Sequence, residues 1–299
     1  MRALPLFLLV GCGDISNALL LEDAAFIDAL PSEERHTVAL EASAAKGLGD
    51  APSLLQLSYA VSSEVNRAIF EVLWAVDEVR ELRPTERTDD TRRWGPFDLR
   101  EGAQVEVWVE RTGAGRYDWG VDAFVDGEEL PYIAGTHYAG ETVAAGDGRF
   151  LWTFDDLATR VGDPARGTVE VDYDNRLGVD LIVRIDGVTD GSEPPVSADY
   201  AYRLVAGEGD FQYATSGDLG PGDGLIEDYW ARTRWFQGEG GRADVVVNGG
   251  SLGGLEERWT QCWDGRLALV HETDTLDFVT TVGDEADCAF SSFAEVDRL

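Results

Sequence analysis

The chain has 299 residues, and its 57 acidic and 24 basic residues give a formal net charge of -33 at pH 7. A surface of this sign repels nucleic acids and anionic headgroups, which argues against a nucleic-acid partner. Hydrophobic residues make up 44% of the chain, enough for a sizeable core. The acidity itself is also explained by solubility or a saline habitat, so it does not by itself indicate a cationic partner.

The N-terminus combines one arginine with a short apolar run that ends in Leu9-Val10-Gly11-Cys12. This run resembles the lipobox of bacterial lipoproteins. The resemblance implies that residues 1–11 are a signal peptide and that Cys12 becomes a lipidated first residue, carrying palmitate-type acyl chains. Gly13 after the cysteine implies outer-membrane sorting in a Gram-negative bacterium. The alternative is a cytosolic protein with an apolar first strand, since the run is too short to span a bilayer.

We expect membrane attachment through this lipid rather than through a spanning segment. Residues 12–50 would form the anchored N-terminal segment, with a short helix over residues 18–30 that stops near Pro31. Residues 51–299 would form a single domain.

The strongest helix signal covers residues 53–82, which contain no glycine and no proline. Large apolar residues recur there every three or four positions, the spacing of one helical face. They are Leu54, Leu57, Val61, Val65, Ile69, Val72, Val76 and Val79. This stripe needs an apolar partner, and Pro84 limits extension of the helix.

From residue 94 onward the apolar period changes to two, which predicts strands with one buried face. Tyr117, Trp119 and Val121, for example, alternate with Asp118 and Gly120. Asp-Gly pairs near the strand ends favour tight hairpins, and such hairpins join antiparallel neighbours. We therefore predict a mainly β (α+β) fold. It is a large curled antiparallel meander sheet, or open barrel, of about ten to twelve strands, with the long amphipathic helix on its concave face.

This outline resembles the architecture of periplasmic lipoprotein carriers and related lipid-binding proteins. The resemblance implies a cavity between helix and sheet that is suited to a lipid or acyl chain. Six aromatic residues on the expected inner face are the candidate ligand-binding residues: Trp119, Trp152, Phe154, Tyr173, Tyr202 and Tyr213. The alternative is that they pack against the helix as ordinary core.

Two cysteines, Cys262 and Cys288, remain after Cys12 is set aside, and an exported protein favours a disulfide between them. The histidines lack metal-ligand spacing, so we expect neither a metal nor a cofactor. The acidic, glycine-rich residues 217–228 could hold calcium, although a solvated turn explains them better. Residues 249–253 match Gly-x-Ser-x-Gly, but a strand rather than a helix is expected after them, so no catalytic residue is assigned.

The sequence thus favours a lipid-anchored cell-envelope protein with a binding or structural role and no enzymatic activity. The alternative is a carrier or sensor of an apolar ligand in the hollow of the sheet. No feature of the sequence identifies a protein partner.

Overall fold

A computed structural model describes residues 17–40, 52–99, 102–192, 194–218, 224–293, 297 and 299. The predicted signal peptide, residues 1–11, and Cys12 lie outside the described residues. Four helices occur: Asn17–Asp28 (α1), Glu33–His36 (α2), Ser53–Glu78 (α3) and Asp155–Val161 (α4). No helix in these ranges is long and apolar enough to cross a membrane.

The rest of the fold is one sheet in which every strand pairs antiparallel with its neighbours in sequence. The strands, β1 to β15 in chain order, are Glu86–Arg87, Thr91–Asp98, Gln104–Gly113, Arg116–Val125, Glu128–Ala139, Gly146–Thr153, Arg166–Asp174, Val179–Thr189, Val196–Val205, Glu208–Gly217, Glu227–Phe236, Gly240–Gly249, Glu256–Asp264, Leu269–Asp274 and Val282–Gly283. Strands β1 and β15 are its two edges, so the meander stays open. The predicted antiparallel meander is confirmed, with more strands than expected because two-residue strands lack a periodic pattern.

The long helix begins where predicted, at Ser53, and one turn of 3-10 helix at Val79–Glu81 follows it. The predicted apolar stripe is correct for Leu54, Val65 and Ile69, which are all buried. It is wrong at Leu57, which is 40% exposed, while the unassigned Leu73 is fully buried. At about 100° per residue the buried positions stay on one face of the helix, with Leu73 at one edge of it and Leu57 just beyond the other.

Helix α3 packs on β11 and β12, and its first two turns are fixed to the sheet by polar contacts. The Oγ atom of Ser58 lies 2.6 Å from Oγ1 of Thr233. The backbone amide of Leu54 donates to Oε1 of Gln261 at 2.8 Å, and the Gln261 amide donates to Oγ of Ser53 at 2.9 Å. Because all these groups are buried or partly buried, they determine which strands the helix covers.

Four tryptophans of the sheet lie over glycines of neighbouring strands. The pairs are Trp108 with Gly120, Trp119 with Gly135, Trp235 with Gly209, and Trp263 with Gly241. A Cβ atom on any of these glycines would lie within 3 Å of the partner's indole ring. The indoles thus occupy the room that a side chain would need, and they cover backbone that glycine leaves bare.

The C-terminal residues 284–293 lie over the face of β11–β13 opposite to α3. Phe290 stacks on Phe236, with ring centroids 4.7 Å apart, and its carbonyl accepts from Arg242. The predicted disulfide joins Cys262 of β13 to Cys288 of this segment. A loop of 26 residues is therefore closed by a covalent bond.

Candidate ligand-binding site

A cavity of about 660 Å³ opens beside the C-terminal half of α3. Aromatic rings form much of its wall: Trp74, Tyr132, Trp152 and Phe154. Further apolar lining comes from Leu99 and from three residues of α4, Leu157, Ala158 and Val161. The remaining lining residues are Asp98, Asp163 and Ala165. A volume of this size with apolar walls and few polar groups is typical of small-molecule sites.

Strands β5 and β6 position the central rings of the cavity. Tyr132 and Trp152 are on these adjacent strands, edge to face, with centroids 5.7 Å apart. Phe154, just after β6, is 3.9 Å from Trp152 between centroids, with the planes tilted by 41°. The three rings therefore form one continuous aromatic wall.

Helix α4 connects β6 to β7 along the chain, and it forms a second wall of the cavity. Its sequence begins with two acidic residues and ends at Gly162, which has a φ of 77° and caps the helix in the left-handed conformation. The Oδ1 atom of Asp155 accepts a hydrogen bond of 3.0 Å from the backbone amide of Gly167. This bond joins the start of α4 to the start of β7. Leu157 and Ala158 are buried as a result.

Trp152 carries a polar group with no partner of its own. The residue is only 6% exposed, and its indole Nε1 has no hydrogen-bond acceptor among the described residues. The same holds for Trp119 and Trp263, which lie in the packed core. Leaving a buried donor unpaired costs about 1–3 kcal/mol.

The six candidate aromatic residues divide between this cavity and the core. Trp152 and Phe154 line the cavity. The hydroxyl of Tyr202 donates to the carbonyl of Ala39 at 3.1 Å, and Tyr213 stacks on Tyr200 with centroids 5.4 Å apart. Trp119 is fully buried against Phe150.

Tyr173 belongs to a buried cluster with two histidines. Its hydroxyl lies 2.9 Å from Nδ1 of His137. The rings of His36 and Tyr173 pack edge to face, with centroids 4.5 Å apart. Burial lowers the pKa of His36 from 6.5 to about 4, and it raises the pKa of the Tyr173 hydroxyl. These groups are therefore neutral at pH 7, and they fill the space in which a ligand was expected.

Sequence reasoning missed Trp74, Tyr132 and α4. Trp74 is 49% exposed outside the predicted apolar stripe of α3, one turn after Phe70, which is 45% exposed. Two aromatic rings outside the apolar stripe of a helix were the available signal. For α4 the signal was the acidic pair at residues 155 and 156 followed by Gly162.

The larger neighbouring cavity, about 800 Å³, shares Asp98 and Leu99 with the aromatic one. Its other lining residues are mostly small or polar, with Phe124 as the single aromatic ring. The smaller cavity is therefore the candidate ligand-binding site.

The other motifs show no reactive arrangement in the described ranges. Residues 249–253 are the turn from β12 to β13, with Ser251 inside one turn of 3-10 helix. Two neighbouring carboxylates of β7 form ion pairs with arginines: Asp172 with Arg184 at 2.7 Å and Asp174 with Arg176 at 2.5 Å. The acidic loop at residues 217–228 lies partly outside the described residues. No group of three potential metal ligands occurs within the described part of the chain.

Comparison with known proteins gives no relative: no family model, no curated protein and no solved structure matches the chain.

Proposed function

We propose that the protein is a non-enzymatic, lipid-anchored envelope protein that binds a small apolar ligand, as a carrier or sensor. The observation that carries the proposal is the cavity of about 660 Å³ walled by Trp74, Tyr132, Trp152 and Phe154. Half-exposed Trp74 supports it, because a large indole in the wall of a cavity offers apolar area that a ligand can cover.

In this proposal α3 lies on the concave face of the curled sheet, and the ligand lies at the end of that concavity. The support is the burial of Val65, Ile69 and Leu73 against the sheet, followed by the exposure of Trp74. The apolar face of the helix thus belongs to the core as far as Val79, while Trp74, on another face, borders the cavity.

The test is binding of N-phenyl-1-naphthylamine, an uncharged probe whose fluorescence rises in apolar surroundings. We expect saturable binding that Trp74→Ala weakens about tenfold, as the loss of one aromatic contact of 1–2 kcal/mol implies. Phe70→Ala is the matched control, since Phe70 is 45% exposed on the same helix but lies outside the cavity. Equal effects of the two variants, or no binding at all, would rule out this site.

The anchor is a separate part of the proposal and depends on Cys12 and its lipobox. Two or three acyl chains hold a protein firmly, because each buried methylene contributes about 0.8 kcal/mol. We expect radiolabelled palmitate to enter the protein in a Gram-negative host and Cys12→Ser to abolish the label. Label that persists in Cys12→Ser would remove the anchor but leave the binding site untouched.

A further inference from the structure

We propose that the aromatic cavity selects ligands whose apolar body carries a positive charge, such as alkylammonium compounds, over neutral ones and over fatty-acid anions. This inference rests on the proposed function and names the chemical class of its ligand.

The first argument is the charge of the lining. Asp98 and Asp163 are the charged residues among the described lining, and no basic side chain belongs to it. A cleft lined by one sign of charge concentrates ions of the opposite sign. A carboxylate placed there would meet like charge, and the cavity offers it no described basic side chain as a partner.

Two arginines lie near the cavity, and among the described residues neither forms an ion pair with Asp98 or Asp163. Arg160 of α4 binds Glu128 at 2.6 Å. The guanidinium of Arg166 donates to the backbone carbonyls of Asp163 and Ala165, at 2.9 and 2.5 Å. Asp155 and Asp156 in the first turn of α4 add further negative charge. The surroundings of the cavity are therefore acidic as well as its lining.

The second argument is the wall itself. The faces of indole, phenol and phenyl rings carry negative electrostatic potential, and cages of such rings bind quaternary ammonium groups. The cavity brings four rings together, with two of them, Trp152 and Phe154, only 3.9 Å apart between centroids. The aromatic rings and the carboxylates of the lining thus both favour a positively charged ligand.

The carboxylates are also available to a ligand. Asp98 accepts one hydrogen bond through Oδ1, from Gln104 at 3.0 Å, and Oδ1 of Asp163 accepts from the amide of Ala165 at 2.8 Å. Both partners are uncharged, so neither carboxylate is neutralised by them. An asparagine at either position keeps the acceptor oxygen while removing the charge, which makes the substitution conservative.

The experiment compares three ligands with the same ten-carbon chain: decyltrimethylammonium, decanol and decanoate. Each displaces N-phenyl-1-naphthylamine from the full chain carrying Cys12→Ser. We expect decyltrimethylammonium to bind about 5- to 30-fold tighter than decanol, and decanoate to bind most weakly. The double variant Asp98→Asn/Asp163→Asn should lose most of this preference while it still binds decanol.

The control is Asp172→Asn/Asp199→Asn, which changes the net charge equally but alters β7 and β9 away from the cavity. It should keep the preference; a loss there would trace selection to the overall charge and overturn the assignment. Equal affinity for the three ligands, or tighter binding of decanoate, would overturn the inference alone. If neither the probe nor decanol binds, the proposed function fails as well.

Discussion

Gly209 and Trp235 face each other across β10 and β11, and the indole occupies the position of the missing side chain. A Cβ atom at Gly209 would lie 2.0 Å from the ring of Trp235, which is only 2% exposed. Gly209→Ala must therefore displace a large buried ring. We expect the free energy of unfolding in urea to fall by about 1–3 kcal/mol, the usual cost of overpacking.

The control for this prediction is Gly254→Ala. Gly254 has no atom within 4 Å of its would-be Cβ, so the substitution should change stability by less than about 0.5 kcal/mol. If both variants unfold at the same urea concentration as the parent, the tryptophan does not depend on the glycine.

His36 should make the protein less stable in mild acid. Burial is the main cause that holds its pKa at about 4, with smaller contributions from Arg35 and Arg80, against an ordinary value of 6.5. Below pH 6.5 the unfolded chain therefore takes up a proton that the folded chain refuses until pH 4. Stability rises with pH across this window, and we expect a loss of about 2 kcal/mol between pH 7 and pH 5.

The measurement is urea unfolding of the parent and of His36→Gln at several pH values between 5 and 7. The variant should show a shallower pH dependence, although His137, whose pKa is also lowered by burial, retains part of it. An identical slope in His36→Gln would show that this ring takes up its proton equally in the folded and the unfolded chain.

At the scale of elements, the C-terminal segment is held by a few strong contacts rather than by sheet pairing. Arg234 donates to the carbonyl of Ser292 at 2.6 Å, its guanidinium lies 4.9 Å from the centroid of the Phe290 ring, and the disulfide to Cys262 closes the connection. For a loop of 26 residues such a bond contributes about 3 kcal/mol. The double variant Cys262→Ser/Cys288→Ser should be less stable by roughly this amount.

Limited proteolysis with chymotrypsin distinguishes local release from global unfolding. We expect cleavage after Phe290 in the double variant and in the reduced parent, with far-UV circular dichroism unchanged at room temperature. The oxidised parent is the control and should resist cleavage at this position. Equal resistance of all three would mean that the arginine contacts alone hold the segment.

At the scale of the whole molecule, the meander was predictable because each strand pairs with its neighbour in sequence. Alternation along residues 117–125 and Asp-Gly turns indicate both the strands and their direction, and no distant pairing had to be guessed. The disulfide was predictable by elimination among three cysteines. The face of α3 was harder, because Leu57 and Leu73 differ in burial but not in chemistry.

The cavity could be predicted only in part. Trp152 and Phe154 were identified from their apolar strand, yet the same reasoning selected Tyr173 and Tyr202, which are packed and hydrogen-bonded in the core. Composition cannot separate these cases, because an aromatic ring gains burial energy in either place. Whether a ring lines the cavity or lies in the core depends on the positions of α3 and α4, and packing decides both.

The net charge of -33 leads to a prediction about salt. Like charges on a compact surface repel one another more than in an expanded chain, so the charge destabilises the folded state. Salt bridges such as Arg232 to Asp210, at 2.7 Å, oppose this effect, but the excess of carboxylates outweighs them. Raising NaCl from 0.01 to 0.15 M shortens the screening length from about 30 Å to about 8 Å.

We therefore expect Tm to rise by several degrees over this range, with most of the change at the lowest salt. Sucrose at equal osmolality is the control for non-ionic effects and should give a smaller rise. A Tm that falls with NaCl would mean that the ion pairs, rather than the net charge, dominate the electrostatic free energy of the fold.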